Sequence, residues 1–315
     1  MPGGAIFSEV YGDGASGNVA VEAQVLEFVG GVIGTATYGA QDSGSVTFAA
    51  QDLVMAGSAF LTTQAIGTGG GSAGPISITA DSAQLFGGQA TSLGFDGADA
   101  GPVQVNIAGP LLMVDRGRIR SLAFDAGDAG AVSVRAGEAF MAGGAEIVSA
   151  AVGDGNSGAV SVDLDWALQM AGVAQIRSRA EGAGDAASVS VRATDIEMAQ
   201  EAFIESSVAG AGSAADVTVV GDNLTLFDEA KIRSVQASPD GTGTTGDVTV
   251  ALTGDLDLSG FTEIQSSTNG AGLAGDVTVS AANARLSGNA YIRSNPFGSG
   301  AGGRVEVNID GLLHM

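Results

Sequence analysis

The sequence predicts an all-β fold, a parallel β-helix (solenoid) with three short strands per coil and about eleven coils of about 28 residues. Three observations predict it. A tripeptide recurs at a nearly constant interval, apolar residues alternate with period two, and 51 of the 315 residues are glycine. Residues 1–315 are therefore expected to form a single β-solenoid repeat region, although a chain of this length ordinarily suggests two globular domains.

The first strand of each coil is marked by a tripeptide of the Val-x-Val type, and glycine or alanine stands two residues before it. Consecutive tripeptides are separated by 27 to 31 residues. They begin at Val19, Val46, Ile76, Val103, Val132, Val160, Val189, Val217, Val248, Val277 and Val305. Alternation of β-branched and variable residues is typical of a strand with one buried face.

Two further apolar pieces predict the second and third strands of each coil. Seven or eight residues after the first residue of the tripeptide comes a pair such as Leu224 and Leu226, and later an Ile is followed two residues on by Ser, as in Ile204 and Ser206. The Ser is expected to point inward with the Ile, so that stacked hydroxyls hydrogen-bond along the axis. Glycines between the strands are expected to supply the positive φ angles of tight corners.

Composition excludes several function classes. The chain has no cysteine, which removes disulfides, zinc–thiolate sites and thiol nucleophiles, and its only histidine is His314. A net charge of −23 argues against nucleic acid and anionic membranes as partners. No apolar run is long enough for a transmembrane segment. No signal peptide is expected in this chain either, because its first basic residue is Arg116.

The repeats resemble a known family. The segments that carry the likeness are GSAGPISITADSAQLFGG at 71–88, LAGDVTVSAANARLSGNAYIRSN at 273–295 and GSGAGGRVEVNIDG at 298–311. In this repeat pattern, Gly-x-Val-x-Val is followed by Leu-x-Leu and then by Gly-x-Ala-x-Ile-x-Ser. It is similar to the repeats of filamentous-haemagglutinin-like exoproteins of the two-partner secretion pathway.

The resemblance implies a right-handed β-helix that leaves the cell through a partner transporter barrel in the outer membrane. It implies a secreted or cell-surface location and a role in attachment or biofilm contacts, with host or matrix glycans or surface proteins as partners. The family's amino-terminal secretion domain has no match in this chain.

The two ends are expected to lack caps. Residues Gly3–Ser8 match the third-strand piece Gly143–Ser149, so the chain opens part way round a coil, and it closes where a second strand should start. Solenoids need capping units with a polar outer face. We therefore expect a fragment of a longer exoprotein.

A doubled acidic loop is the first candidate site. Its four carboxylates are Asp96, Asp99, Asp125 and Asp128, and the two loops lie 29 residues, or one coil, apart. Stacking places the acids in pairs about one strand spacing apart, where they either bind a divalent cation such as Ca²⁺ or form a solvated acidic corner. Phe95 and Phe124 are expected to stack beside them.

An arginine strip is the second candidate site. The tripeptide Ile-Arg-Ser recurs in third strands and places four arginines outward on one face: Arg120, Arg177, Arg233 and Arg293. One hypothesis is a basic strip that binds anionic glycans. The other is an exposed charge ladder in which Glu205 offsets Arg177 and Arg233, worth at most about 1 kcal/mol per pair.

These observations favour a structural rod of a surface adhesin, with no catalysis and no resident cofactor. Two alternatives remain open. One is a carbohydrate-active parallel β-helix enzyme that acts on acidic polysaccharide through a pair of carboxylates, either Asp163 with Asp165 or Asp255 with Asp257. The other is a surface-layer scaffold that depends on Ca²⁺.

Overall fold

The computed structural model describes residues 4–67 and 71–315, and within them it contains strands and turns but no helix. The strands stack as a parallel β-solenoid of about eleven coils, which confirms the predicted fold class. Each coil contributes one strand to each of three faces. No helix of the described residues is long and apolar enough to cross a membrane.

The first face consists of the strands that begin with the Val-x-Val tripeptide. Numbered in chain order, they are β2 (Val19–Val29), β4 (Val46–Ala56), β6 (Ile76–Ala80), β9 (Val103–Ile107), β12 (Val132–Ala136), β15 (Val160–Leu164), β18 (Val189–Arg192), β21 (Val217–Gly221), β24 (Val248–Leu252), β27 (Val277–Ala281) and β30 (Val305–Ile309). Strands β2 and β4 are long enough to continue through the first corner into the second face.

The second face is completed by shorter strands: β7 (Ser82–Phe86), β10 (Pro110–Val114), β13 (Glu138–Met141), β16 (Ala167–Met170), β19 (Asp195–Met198), β22 (Asn223–Leu226), β25 (Asp255–Leu258), β28 (Asn283–Leu286) and β31 (Leu313–His314). Together with the first face they form one 20-stranded sheet, because the continuous strands β2 and β4 join the two.

The third face is a separate 11-stranded sheet. Its strands are β1 (Ala5–Val10), β3 (Val32–Thr37), β5 (Phe60–Ile66), β8 (Gln89–Phe95), β11 (Arg118–Ala123), β14 (Glu146–Ala151), β17 (Gln175–Ala180), β20 (Phe203–Val208), β23 (Lys231–Gln236), β26 (Glu263–Thr268) and β29 (Tyr291–Pro296).

All pairings of the named strands are parallel and in register, so equivalent strand residues stack in columns along the axis. For example, Ile147 of β14 pairs with Ile176 of β17, and Ser149 pairs with Ser178. Inward-facing residues of the three faces meet in one continuous apolar core. Five of the seven methionines occupy a single column of the second face: Met55, Met113, Met141, Met170 and Met198. Unbranched, adaptable side chains suit a position where each coil differs slightly from the next.

A column of hydroxyl side chains runs through the third face beside the isoleucines. Its members are Ser8, Thr35, Thr63, Ser92, Ser121, Ser149, Ser178, Ser206, Ser234, Ser266 and Ser294. Where the column lies inside the rod, these hydroxyls are fully buried. The predicted inward orientation of serine is therefore confirmed.

The hydroxyls hydrogen-bond mainly to backbone groups of adjacent coils rather than to one another. The Ser149 hydroxyl accepts from the amide of Gly158 (2.8 Å) and donates to the carbonyl of Gly130 (2.9 Å). Ser121 makes the same two bonds one coil earlier, to Gly130 and Gly101. The amide and the carbonyl of Gly130, two residues before a Val-x-Val tripeptide, are thus each hydrogen-bonded to a hydroxyl of the column. Buried backbone groups need such partners.

The glycines of the long connection after the third strand have a different role from the one expected. Seven of them stack in one column: Gly127, Gly155, Gly184, Gly212, Gly243, Gly272 and Gly300. None has a positive φ, so the expectation of left-handed corners is wrong here. Instead, a Cβ on Gly212 would overlap the carbonyl oxygen of Gly184, and one on Gly243 would overlap that of Gly212. Backbones of successive coils approach so closely that no side chain fits between them.

Left-handed conformations occur at the corner between the second and third strands, where the expectation is confirmed. Gly143, Gly144 and Gly172 have φ between 61° and 76° there. The same corner of other coils also uses non-glycine residues, such as Gln200 (φ 54°) and Glu201 (φ 63°). The stacked neighbours hold these residues in a conformation that is unfavourable for an isolated chain.

Replacing Gly212 by alanine should destabilise the rod. The new methyl group must push two coils apart, and overpacking of this kind costs about 1–3 kcal/mol. The matched control is Gly12→Ala, where a Cβ meets no atom within 4 Å and the backbone is not left-handed. Urea unfolding followed by circular dichroism measures both. Equal midpoints for the two variants would contradict the close approach of the coils.

Candidate functional site

The four predicted arginines lie in the middle outward column of the third face. Strand pairing gives the order along this column as Arg120, Val148, Arg177, Glu205, Arg233, Gln265 and Arg293. An arginine therefore stands on every second coil. The intervening strands β14, β20 and β26 have smaller or oppositely charged outward residues, over which the long arginine side chains lie.

Glu205 sits between two of these arginines and is almost completely buried. Only 2 % of it is exposed. One of its oxygens lies 2.8 Å from Nε of Arg177, and the other binds Nε of Arg233. Both guanidinium groups also lie 5.7 Å from the ring centroid of Phe203, which is close enough for cation–π attraction. The expected exposed ladder is wrong in this respect, because the triad is enclosed.

The environment of Glu205 shifts its pKa. Burial, taken alone, raises the pKa of the carboxyl, because it disfavours the charged form. The positive charges of Arg233 and Arg177, with hydrogen bonds from Ser207 and Arg233, outweigh burial and hold the pKa below its ordinary value of 4.5. Glu205 is therefore charged at neutral pH and links its coil to the coils of Arg177 and Arg233 on either side.

Arg120 is held by its neighbours on both sides. Its guanidinium lies 3.4 Å from Glu146 and donates to the Gln89 side-chain carbonyl at 3.0 Å. Glu146 also pairs with Arg118 at 3.2 Å. Burial lowers the pKa of Arg120 to about 10; the charge of Glu146 opposes this shift and that of Arg118 adds to it. Even here the arginine stays charged at neutral pH.

Arg293 repeats the arrangement near the other end of the column. It donates to Glu263 and to Gln265, both at 2.9 Å, and lies 5.3 Å from the ring centroid of Tyr291. Across the four arginines, 18–31 % of each side chain is exposed. Each arginine therefore already directs guanidinium N–H groups at side chains of neighbouring coils. Binding of anionic glycans by Arg120, Arg177, Arg233 and Arg293 stays a prediction.

The acidic quartet divides into two pairs with different surroundings. Asp99 accepts a hydrogen bond from the amide of Asp128 (2.8 Å), and Asp128 accepts one from the amide of Asn156 (2.7 Å). These two carboxylates thus form a ladder of hydrogen bonds along the corner, in which the side chain of one coil accepts from a backbone amide of the next. Asp96 and Asp125 are exposed turn residues with φ of 56° and 59°.

The rings of Phe95 and Phe124 are stacked beside this corner, with centroids 5.0 Å apart, as predicted. In residues 4–67 and 71–315, no group of three or more acidic, histidine or cysteine side chains is arranged to hold a metal ion. Calcium binding by Asp96, Asp99, Asp125 and Asp128 stays a prediction, and two of the four carboxylates already have backbone partners.

The two carboxylate pairs considered for glycoside chemistry lie on different faces. Asp163 stacks between Arg135 and Arg192 on the first face, with closest distances of 3.7 Å and 3.9 Å. Asp165 is exposed just after the end of β15. Asp255 and Asp257 lie on β25 of the second face and line an open depression of about 490 Å³ together with Arg285 and His314.

The second face also has a feature that the sequence analysis missed. Two adjacent depressions, of about 260 and 240 Å³, follow the outward residues of strands β10 to β22. Their shared column, which we call the axial groove, consists of Leu112, Phe140, Gln169, Glu197 and Thr225. The five residues occupy outward positions of the period-two pattern, which vary from repeat to repeat. They become neighbours only when the coils are aligned in register, so no single repeat indicates the groove.

Comparison of the chain with protein-family models, with curated proteins and with solved structures finds no match.

Removing the charge of Glu205 should destabilise the rod. Glu205→Gln leaves Arg177 and Arg233 facing each other across a buried site, and loss of one partner from such a pair costs about 3–5 kcal/mol. Urea unfolding at pH 7 measures the loss. The control is Glu181→Gln, because Glu181 forms a more exposed pair with Arg179 (2.8 Å) whose loss costs about 1 kcal/mol or less.

The pH dependence follows from the lowered pKa of Glu205. A carboxyl with a depressed pKa in the folded state stabilises fully above its unfolded pKa, near 4.5, and this contribution is lost as the pH falls through the folded value. The difference between wild type and Glu205→Gln should therefore shrink below about pH 4.5. A difference that stays constant from pH 7 to pH 3 would contradict the buried charge.

Proposed function

We propose that this chain is the structural rod of a secreted or surface-displayed adhesin. The rod holds a contact surface at a distance from the cell and performs no catalysis. The observation that supports it is the unbroken register of about eleven coils. At roughly 4.8 Å per coil, eleven coils extend about 50 Å. Such a stack has an extended outer surface along its axis.

The distribution of polar groups agrees with a passive rod. The charged residues of the third face pair with one another, and the corner carboxylates Asp99 and Asp128 bond to backbone amides. The acidic surface favours solubility, since a net charge of −23 makes copies repel one another. Repeated weak contacts along a rod gain strength from multivalency.

The route to the cell surface is part of the same proposal. The repeat pattern, from Gly-x-Val-x-Val to Ile-x-Ser, resembles that of exoproteins of the two-partner secretion pathway. We therefore propose that the parent protein is exported through an outer-membrane transporter barrel. Attachment or biofilm contacts then involve glycans or proteins outside the cell. The proposal requires no cofactor.

A carbohydrate-active enzyme is the second candidate, and one observation favours it. Asp255 and Asp257 lie in the same depression as Arg285 and His314, so acidic and basic groups face one space. The Asp255 carboxylate, however, already accepts a hydrogen bond from the Asn283 amide group at 2.9 Å. The rod is the better-supported proposal, because its structural features extend over the whole chain.

Attachment tests the proposed function directly. Latex beads coated with the full chain should adhere to polysaccharide-rich biofilm matrix or to cultured cell layers under flow. Beads coated with an unrelated acidic globular protein should be washed off, because negative charge alone gives no specific contact. Equal retention of the two bead types on every surface would contradict the adhesin proposal.

The alternatives are separated by two assays on the same protein. Incubation with neutral and acidic polysaccharides should release neither reducing ends nor unsaturated uronates, whereas steady release would favour the enzyme. Thermal melting in calcium and in chelator should give the same midpoint. A higher midpoint in calcium would favour the Ca²⁺-dependent scaffold, since a ligand that binds only the folded state stabilises it.

A further inference from the structure

The axial groove of the second face has the composition of a glycan-binding surface. One end is apolar, formed by Pro110, Leu112 and Phe140, with Phe140 40 % exposed. The other end is polar, formed by Asp195, Glu197, Asn223 and Thr225, and Ala167 and Gln169 belong to both depressions. A sugar ring offers an apolar face and a rim of hydroxyls, which this combination matches.

Four polar side chains of the groove are available to a ligand, whereas those of Asp195 and Asn223 are hydrogen-bonded to each other at 2.8 Å. In the described part of the chain, the side chains of Glu138, Gln169, Glu197 and Thr225 make no hydrogen bond or ion pair with other residues. This is the reverse of the third face, where Arg177 and Arg233 are tied to Glu205. Carboxylate and amide oxygens accept hydrogen bonds from hydroxyls, and amide nitrogens donate to them.

The charge of the groove selects among glycans. No lysine or arginine lines either depression, whereas Glu138, Asp195 and Glu197 do. An anionic chain would bring like charges together, which opposes binding. The carboxylates therefore disfavour the acidic polysaccharide that a basic strip would bind, and the apolar end with the uncharged side chains of Gln169 and Thr225 suits an uncharged glycan.

The backbone of the second face argues against a peptide as the ligand. Strands β13, β16 and β19 each pair with a strand on both sides, so their amides and carbonyls are used between coils. Peptides that add to sheets need an unpaired edge, and a face within the rod offers none. Recognition must come from side chains, which is the usual mode for sugars.

The length of the groove also fits a polymer. Five stacked coils, from Leu112 to Thr225, extend roughly 19 Å at the usual strand spacing. Outward side chains recur at each coil, so successive sugar units meet successive side chains. Trp166, the only tryptophan, precedes Ala167 at the border of the groove and is 68 % exposed.

We propose that the axial groove binds an uncharged hexose glycan, with Phe140 and Leu112 contacting sugar rings and with Gln169 and Glu197 hydrogen-bonding their hydroxyls. This inference rests on the proposed attachment function, for which it names the surface and the ligand class. The contact lies on the second face and not on the arginine column.

Titration of the full chain with defined hexamers tests the proposal. Uncharged hexamers of glucose, mannose and galactose are compared with a galacturonic acid hexamer and a glucosamine hexamer, by calorimetry and by the fluorescence of Trp166. We expect at least one uncharged hexamer to bind and the galacturonic acid hexamer to bind at least tenfold more weakly. Absence of binding by all three uncharged hexamers, or stronger binding of either charged one, would overturn the proposal.

Variants locate the site. Phe140→Ala and Gln169→Ala should each weaken binding about tenfold, whereas Phe261→Ala, an exposed aromatic at a corner outside the groove, should leave it unchanged. Unaltered binding in both groove variants would overturn the proposal, provided that circular dichroism shows them folded. If the beads adhere but no uncharged hexamer binds, this inference fails and the adhesin proposal stands; if the beads also fail to adhere, both fail.

Discussion

The short axial distance between coils is the constraint on which the rest of this structure depends. Backbone hydrogen bonds hold successive coils roughly 4.8 Å apart, so the residues of each strand are stacked directly on those of the next coil. Where two backbones approach most closely, only glycine fits, as in the column through Gly184, Gly212 and Gly243. Where one coil's strand gives way to a corner, a buried hydroxyl bridges a carbonyl of one coil and an amide of the next, as Ser149 does between Gly130 and Gly158.

The same distance explains why charge is arranged differently on the two polar faces. Arginines on adjacent coils would place like charges about one strand spacing apart, which is unfavourable, and in this column of the third face they occupy alternate coils. Their partners are consequently internal, and Glu205 is enclosed by Arg177 and Arg233. On the second face, outward residues such as Gln169 and Glu197 have no such partners among the described residues. The arginine column of the third face therefore fastens coils together, whereas the column of the axial groove is open to contacts.

The sequence predicts the coils well, because period two and an interval of 27 to 31 residues report directly on which side chains face inward. It also predicts the stacking of Phe95 on Phe124 and of Glu205 between two arginines. What it does not predict are properties that depend on neighbours across coils. The burial of Glu205, the close backbone contact at Gly212 and the axial groove all arise from the exact register and corner geometry, which spacing alone leaves open.

The central claim is that buried hydroxyls join each coil to the next, and the most direct measurement is the free energy of unfolding of Ser149→Ala by urea. Loss of the hydroxyl leaves the carbonyl of Gly130 and the amide of Gly158 without a partner, which costs about 1–3 kcal/mol. Ser161→Ala, on the outward side of β15, is the matched control and should change stability by about 0.5 kcal/mol or less. The account predicts that Ser149→Ala is the clearly less stable variant. Equal stability of the two variants would contradict it.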